Sequence, residues 1–479
     1  MTRRLPFAAL LVVLGLAVTA VCSLGIGVRS TYGGRAAVDE PEYLLTALSL
    51  GEDGDLDIAD ELADERWRDF HDADLPVQTA VLDGGRRISP HDPLLPLLLA
   101  LPMRWGGFVA AKAVVAAVAG LLAALTCWVA VRRFAVPLPV ALAVVLLASM
   151  SPPLGVYATQ VYPEIPAALL VMYGVALLTG PLRPGGLVGL GLVVTALPWL
   201  SVKYSPVAGV LAVIALVRLV RRDERRLAGL VAGGLALMGV VFALGHQVIY
   251  GGWTSYASGD HFEQPGEFAV VGTGVDGLGR TLRLGGLLVD RGFGLVPWQP
   301  MWLLAVPAVA FALRRRDDGW TALVLPLVAG WLTASYVALT AHGYWWPGRQ
   351  VVVVLPIATV AVAVWASHGM WRRPVALTAG VVGVVTFGWL LRDGNAERIT
   401  WVSGFETTGS PAYRALRPLL PDYRDPDAWT SPQHLAWSAL LLALLYAGWR
   451  VAAPAPTASS PAPPEGSAIR VPTDERPIT

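Results

Sequence analysis

The sequence is poor in charge and nearly free of lysine. Of its 479 residues 15% are charged, whereas an ordinary soluble domain has about 25%. Only Lys112 and Lys203 among the 36 basic residues are lysines, and the net charge of +1 provides no overall field for binding nucleic acid. The two cysteines, Cys22 and Cys127, lie within apolar runs, which predicts free thiols rather than a disulfide framework.

Motifs for nucleotide and metal binding are also scarce. The sequence has no Gly-Lys-Ser/Thr phosphate loop and no His-Glu-x-x-His. The stretch "GTGVDG" (272–277) fits G-x-G-x-x-G, but no strand precedes it, so no nucleotide site is predicted. The stretch "DGDLD" (53–57) resembles an Asp-x-Asp metal motif, yet this pattern arises readily by chance in a segment rich in acids. No metal ligand is predicted.

Long apolar runs dominate the sequence instead. It is 55% hydrophobic with a mean hydropathy of +0.56, so lipid rather than water is its natural solvent. A spanning helix needs about 20 mostly apolar residues, and the runs predict an all-α polytopic membrane protein with about twelve spans. These are 5–27, 108–131, 136–151, 162–180, 185–200, 204–220, 227–249, 296–313, 320–340, 350–367, 374–391 and 433–450.

The basic residues predict an orientation for these spans. Arg3 and Arg4 precede the first run, which is too long for a cleaved signal peptide and is interpreted as an anchor. Every second loop after it is also basic, as the positive-inside rule requires of cytoplasmic loops. Both termini are therefore predicted to be cytoplasmic. The basic groups are Arg132–Arg133, Arg183, 218–226, 314–318 and Arg372–Arg373.

The predicted membrane domain covers residues 1–451, and 452–479 is predicted to be a disordered cytoplasmic tail because it is rich in Pro, Ala and Ser. Residues 28–107, 250–295 and 392–432 lie on the outer side and are termed the first, second and third external segments. The first carries 16 acidic and 6 basic residues between positions 29 and 92. Most of these acids are interpreted as a solvated surface.

Two stretches of the first external segment meet the membrane at polar residues. In "VDEPEYLL" (38–45), Asp39 and Glu42 are spaced as a helix capping box, and Glu40 suits the first turn. In "SPHDPLLPLLLALP" (89–102), a His-Asp pair opens an apolar run interrupted by proline. Both stretches predict juxtamembrane helices, which suits a substrate with a lipid tail in the bilayer and a polar head outside.

These stretches, with "VYPEIPAALL" (161–170), "LPWLSVKYSP" (197–206) and "GYWWPGRQVVVVLPI" (343–357), resemble the GT-C membrane glycosyltransferases. The similarity is greatest to the bacterial family 39-like branch related to protein O-mannosyltransferases and aminoarabinose transferases, and it covers roughly residues 5 to 367. The resemblance implies a polyprenyl-phosphate sugar donor, transfer at the outer membrane face and an acidic base in the first external segment. Carried over, that base is Asp39. Many relatives have a basic or neutral residue at the position of Glu42, so the local charge differs here.

The chemistry implied by the resemblance needs one carboxylate and one or two cations at the outer boundary. The carboxylate takes the proton of the acceptor hydroxyl, and the cations stabilise the charge of the leaving phosphate. Asp39 is the first candidate for the base, with helix capping as its alternative, and Glu40 is the second. Lys203 and Arg349 are the candidate phosphate ligands, since a charge at the end of an apolar run is costly without a partner. The alternative for each is an ordinary interfacial anchor, beside an aromatic belt in the case of Arg349.

Five further residues are candidate substrate ligands. An ordinary structural role is the alternative for each, as a cap for the His-Asp pair and as part of an interfacial aromatic belt for the tyrosine. The chemistry requires no cofactor, and no residue pattern supports a divalent cation. The five residues are His91, Asp92, Glu164, Arg291 and Tyr344.

The sequence thus predicts an inverting glycosyltransferase of the cytoplasmic membrane, with its active site facing outside and an envelope glycan, lipid or protein as acceptor. The main alternative is a transporter or flippase of a lipid-linked glycan. Transporters place ionisable residues near the bilayer midplane and often contain inverted repeats, whereas these residues cluster at the outer boundary and no repeat is found. A membrane scaffold with the acidic segment as a docking surface is a third interpretation.

Overall fold

A computed structural model of the protein describes residues 6–259, 277–338 and 342–452. Among these residues the secondary structure is helical, and the only β-type pairing consists of four isolated bridges. Most of "GTGVDG" and nearly all of the predicted tail, 453–479, lie outside the described residues.

The helices of the first half follow the predicted apolar runs and the two predicted juxtamembrane stretches. They are α1 (Phe7–Ser23), α2 (Glu40–Glu52), α3 (Ala59–Ala63), α4 (Leu94–Arg133), α5 (Leu138–Ser149), α6 (Leu154–Tyr157), α7 (Glu164–Leu178), α8 (Pro184–Leu200), α9 (Ser205–Arg221) and α10 (Arg225–Tyr250).

The helices of the second half are shorter and several continue from tighter or wider turns. They are α11 (Gly277–Val289), α12 (Ala305–Arg315), α13 (Trp320–Leu332), α14 (Leu355–Ser367), α15 (Arg372–Asn395), α16 (Pro411–Leu416) and α17 (Thr430–Arg450). A 3₁₀ turn precedes α12 (Pro300–Leu304) and α14 (Arg349–Val354), and a π-turn follows α13 (Thr333–Val337).

Six of the described helical segments are long and apolar enough to cross a membrane, and four further apolar helices are shorter. The protein is therefore a helical membrane protein with several spans. The six segments are Leu94–Arg133, Val202–Arg221, Arg225–Ser258, Trp320–Val337, Arg349–Ser367 and Arg372–Asn395.

Helix α4 joins a juxtamembrane part to a spanning part. Its dihedral angles are helical except at Gly107, where φ is 60° and ψ is −161°. This break falls where the sequence predicts the change from juxtamembrane helix to span. The spanning part then packs closely on α1, because a Cβ atom on Gly120 would collide with the carbonyl oxygen of Gly15. Small residues at such a crossing let the two backbones approach.

The three external segments meet at one end of the bundle. The amide of Trp401 in the third segment donates to the carbonyl of Arg29 in the first at 3.0 Å. The amide of Ala80 in the first donates to Ser258 in the second at 2.8 Å, and the amide of Arg291 in the second donates to Pro421 in the third at 2.8 Å. This end of the molecule is termed the external end.

The predicted cytoplasmic loops meet at the opposite end. The guanidinium of Arg132, at the end of α4, lies over the ring of Phe7 at the start of α1, 4.7 Å from its centroid. Arg218, near the end of α9, donates to the carbonyl of Gly180 in the α7–α8 loop at 3.0 Å. Basic residues from different predicted cytoplasmic loops therefore lie at the same end of the molecule.

Candidate active site

The site is built around an ion pair between the start of α2 and the start of the helical segment that leads to α14. Nη2 of Arg349 lies 2.6 Å from Oδ2 of Asp39. Asp39 occupies the N-cap position of α2, but its side chain makes no capping hydrogen bond. The carboxylate is therefore directed to Arg349 and not to the helix backbone, which disfavours the capping interpretation.

Local backbone geometry orients both partners. Val38, just before Asp39, has a φ of 59°, a strained value for a β-branched residue. Its carbonyl accepts a hydrogen bond of 2.9 Å from Nε2 of Gln78. Gly348, just before Arg349, has a φ of 84°, and a Cβ atom there would lie 2.5 Å from the side chain of Leu295. Only glycine fits this turn, which directs Arg349 into the site.

Two more charged residues extend the pair. Glu164, the first residue of α7, accepts through Oε1 from Nε of Arg349 at 3.0 Å and from Nζ of Lys203 at 2.7 Å. Charges therefore alternate in the order Asp39, Arg349, Glu164, Lys203, which is termed the ion-pair chain. Glu164 is 1% exposed, whereas the side chains of Asp39 and Lys203 are 18% and 22% exposed. The two ends of the chain are thus accessible while its centre is buried.

Several polar atoms of the site have no partner among the described residues. The hydrogen bonds of Arg349 use Nε and Nη2 only, and Lys203 uses one of its three N–H donors. Oε2 of Glu164 and the hydroxyl of Tyr204 are buried and without a hydrogen-bond partner. Buried polar groups are rarely left unpaired, so this cluster is suited to a ligand that brings both donors and acceptors.

Aromatic rings surround the cations. The guanidinium of Arg349 lies 4.1 Å from the ring centroid of Tyr162 and 5.5 Å from that of Trp345. The imidazole of His91 stacks on Tyr43 at 4.5 Å, with an angle of 18° between the planes. The contacts of Arg349 with Tyr162 and Trp345 are cation–π contacts, which hold the guanidinium plane in place without using its hydrogen-bond donors.

The electrostatics of Asp39 follow from these neighbours. Burial alone opposes ionisation, but the positive charges of Arg349 and His91 and the hydrogen bond from Arg349 outweigh it, so the pKa of Asp39 lies below its ordinary value. Asp39 is therefore ionised in the resting site and held by Arg349.

Glu40, the second candidate for the base, lies in a different environment. Its carboxylate is fully buried and accepts from the amide of Val161 at 2.8 Å, from the amide of Ala37 at 3.2 Å and from the hydroxyl of Ser30. Nζ of Lys112 lies 3.9 Å away. These donors favour a structural role for Glu40, which ties α2 to its neighbours.

Lys112 is a buried cation that the sequence analysis did not single out as a site residue. It lies within α4, is fully buried, and donates to the carbonyl of Arg35 at 2.6 Å in addition to facing Glu40. The available signal was its position, because a lysine inside an apolar run requires a buried partner.

The predicted His91–Asp92 pair is divided between two environments. His91 lies beside Asp39, as described above, whereas Asp92 is buried elsewhere. Oδ1 of Asp92 lies 2.8 Å from Nε2 of His246 in α10, and Oδ2 accepts from the amide of Val202 at 3.1 Å. Asp92 thus contacts the residue next to Lys203 and not the ion-pair chain itself.

Glu42 is brought near the site although the sequence analysis did not select it as a site residue. Its side chain is buried, Oε1 accepts from the amide of Gln78 at 3.0 Å, and Oε2 has no hydrogen-bond partner among the described residues. Burial raises the pKa of Glu42 to about 7, with a further rise from the charge of Asp39 and partial offsets from Gln78, Ser89 and Arg87. Asp39 and Glu42, which are one helical turn apart, therefore differ: the pKa of Asp39 is lowered, whereas that of Glu42 is raised.

Arg291 and Tyr344 are not part of this arrangement. Arg291 donates to the carbonyl of Leu420 at 3.1 Å and to Asp422 at 3.4 Å, so it joins the second and third external segments. Tyr344 is 72% exposed, and its neighbour Trp345, not Tyr344, contacts Arg349.

The sequence matches no family model and no curated protein. Two crystal structures of ArnT from Cupriavidus metallidurans have similar backbones, each with 15% sequence identity and a TM-score of 0.49. The match to the structure bound to undecaprenyl phosphate covers 91% of this chain and 77% of the ArnT chain. The match to the apo structure covers 92% and 76%, respectively. Both are structures of one aminoarabinose transferase.

Proposed function

We propose that this protein is an inverting membrane glycosyltransferase of the GT-C type. It would move a sugar from a polyprenyl-phosphate donor to an envelope glycan, lipid or protein at the outer face of the cytoplasmic membrane. The observation that carries the proposal is the ion-pair chain at the external end, where an accessible carboxylate lies beside two cations that retain unused donors.

In the proposed reaction the acceptor hydroxyl attacks the anomeric carbon of the donor sugar. The new C–O bond forms as the bond between that carbon and the phosphate oxygen breaks, and the electron pair leaves with the phosphate. Asp39 takes the proton of the hydroxyl. Arg349 and Lys203 stabilise the negative charge that grows on the phosphate. This sequence of steps needs no cofactor.

The resting geometry has a consequence for the order of binding. While Arg349 holds Asp39, the carboxylate is a weak base, because its pKa lies below its ordinary value. A donor phosphate that binds Arg349 and Lys203 would compete with Asp39 for the guanidinium. Donor binding would thereby release Asp39 to accept a proton, so that the base is active only when a donor is present.

The lipid part of the donor or acceptor would be held by apolar surface near the outer boundary. A cavity of about 770 Å³ lies between the end of α2, the start of α4 and the ends of α8 and α10, with Leu50, Leu94, Trp199 and Val248 among its lining residues. Its lining is mostly apolar, which suits a hydrocarbon chain.

We also propose the finer topology of twelve spans with both termini cytoplasmic. Support comes from the helices that coincide with the predicted runs and from the gathering of basic residues opposite the external end. Residues 452–479 would then form a cytoplasmic tail.

The experiment that tests the function is sugar transfer by the purified protein in lipid vesicles. Radiolabelled polyprenyl-phosphate sugars would be offered singly with envelope extract as acceptor, for the wild type and for Arg349→Ala. Transfer by the wild type and its loss in a folded Arg349→Ala variant would support the proposal. Movement of the labelled lipid across the bilayer without transfer from any donor would favour the transporter instead.

A further inference from the structure

Three carboxylates meet in the first external segment, away from the ion-pair chain. Asp53 directly follows α2, and Asp60 and Glu61 lie in α3, with one oxygen from each side chain within 4.8 Å of the others. The 13 residues between Asp39 and Asp53 form α2, and at a rise of about 1.5 Å per residue they separate the two by about 20 Å. This group is termed the acidic cluster.

Glu61 is the buried member of the acidic cluster and indicates a bound ligand. It is 3% exposed, and both of its carboxylate oxygens are buried without a hydrogen-bond partner among the described residues. A buried carboxylate without a partner is costly, and its oxygens face Asp53 and Asp60, which add like charges. The geometry calls for a positive charge in contact with all three groups.

Arg66 does not supply that charge by direct contact. Its hydrogen bonds of 3.0 and 3.1 Å are to the two oxygens of Glu52, which is the main cause of its raised pKa. The negative charge of Glu61 contributes to that rise only from a distance. Among the described residues, none forms an ion pair with Asp53, Asp60 or Glu61 under a 4 Å limit.

The other acids of the "DGDLD" stretch are engaged elsewhere. Oδ1 of Asp55 accepts from the hydroxyl of Ser49 at 2.9 Å and from an amide of its own loop. Oδ1 of Asp57 accepts from the amide of Arg87 at 2.8 Å. The Asp-x-Asp pattern seen in the sequence is therefore not a ligand set, and only Asp53 from that stretch joins the cluster.

We propose that Asp53, Asp60 and Glu61 bind a divalent cation, and that the cation is Ca²⁺. The ligands are all carboxylate oxygens, with no imidazole or thiolate, which favours a hard cation over zinc or copper. Ca²⁺ accepts irregular sets of six to eight oxygens, so the three carboxylates can be completed by water. In the proposed topology the site faces the outside, where weak sites are filled at roughly millimolar calcium.

The cation would fasten the end of α2 to α3. Residues 54–57 lie between these ligands and line the apolar cavity beside α2. The site would therefore fix one wall of that cavity and hold α2, which presents Asp39 at its other end. This role is structural and does not depend on the proposed transfer reaction.

The experiment measures binding of Ca²⁺ alone to the full protein in nanodiscs of zwitterionic lipid, which lacks anionic headgroups that bind calcium. Thermal unfolding would be followed with and without about 5 mM Ca²⁺, with Mg²⁺ for comparison. Terbium luminescence, sensitised by tryptophan, gives a second readout of occupancy. The variants are Glu61→Gln, Asp53→Asn and, as a control that removes an exposed acid of the same segment, Asp64→Asn.

We expect Ca²⁺ to raise the Tm of the wild type and of Asp64→Asn, and to leave both ligand variants unchanged. Apparent affinity for Tb³⁺ should fall at least about tenfold in the ligand variants, because each loses a charged ligand. Asp53→Asn keeps the test valid if Glu61→Gln fails to fold, since Asp53 is exposed. The proposal would be overturned if Ca²⁺ did not raise the Tm of the wild type. It would also be overturned if Ca²⁺ raised the Tm of Glu61→Gln and Asp53→Asn as much as that of the wild type.

Discussion

Arg349 and Asp39 are 310 positions apart in the chain, and their side chains are joined by a hydrogen bond of 2.6 Å. The same guanidinium binds Glu164 through Nε, so its plane is held by two carboxylates. A guanidinium held in this way keeps its remaining N–H donors in a fixed direction, which is the geometry needed to clamp a phosphate. The pair therefore connects the candidate base to the candidate donor site.

Replacement of Asp39 by Asn should abolish most of the transfer activity while the protein still folds. The amide cannot take the acceptor proton, and loss of a general base typically lowers the rate by about 10² to 10⁴-fold. The measurement is kcat in vesicles, with Asp74→Asn as a control because Asp74 is an exposed acid of the same segment. Activity in Asp39→Asn within a few-fold of the wild type would contradict the role assigned to Asp39.

Glu40→Gln should instead destabilise the protein. The change leaves the buried ammonium of Lys112 without its carboxylate, and breaking a buried pair costs about 3–5 kcal/mol. The measurement is the Tm in detergent. The double variant Glu40→Gln with Lys112→Met removes both charges and should recover much of the loss. A normal Tm together with lost transfer in Glu40→Gln would mean that Glu40, not Asp39, acts on the substrate.

Much of the fold and part of the site follow from the cost of placing polar groups in lipid. Apolar runs mark the helices, and charges at the ends of such runs, such as Arg349, Lys203 and Glu164, require partners or a ligand. These residues could be selected from the sequence for that reason. Their pairing could not, because it depends on which helices pack together.

The division of roles between neighbours also could not be predicted. Asp39 and Glu40 are adjacent, but successive residues of a helix point about 100° apart, and packing against α4 turns Glu40 inward. In the same way His91 and Asp92 face different partners. The role of Arg291 depends on contact with Asp422, 131 residues away, for which the sequence holds no local signal.

Glu42 should make the folded protein less stable as the pH rises from about 4.5 to about 7. The carboxyl titrates near its ordinary value of 4.5 in the unfolded chain and near 7 in the folded protein, so between these values the folded protein holds a proton that the unfolded chain has released. Its contribution to stability is full below pH 4.5 and is lost as the pH passes 7.

Glu42→Gln removes this dependence. Relative to the variant, the wild type should lose up to roughly 3 kcal/mol across that range, as measured by thermal unfolding at a series of pH values. Glu52→Gln is the control, because the bond to Arg66 lowers the pKa of Glu52 and the pH dependence should be weak and opposite in sign. Parallel curves for the wild type and Glu42→Gln would contradict the prediction.

Asp92→Ala should weaken donor binding more than it slows the chemical step. Asp92 accepts from the amide of Val202, and this bond holds the 3₁₀ turn that carries Lys203. Without it the ammonium is less well placed toward a phosphate, so KM for the donor should rise by about tenfold with a smaller change in kcat. Asp92→Asn can still accept one of the two hydrogen bonds and should lie between the wild type and Asp92→Ala. A fall in kcat with an unchanged KM in Asp92→Ala would indicate instead that Asp92 acts in the reaction. A lower Tm in Asp92→Ala with unchanged kcat and KM would show that Asp92 serves only as a stabilising contact with His246.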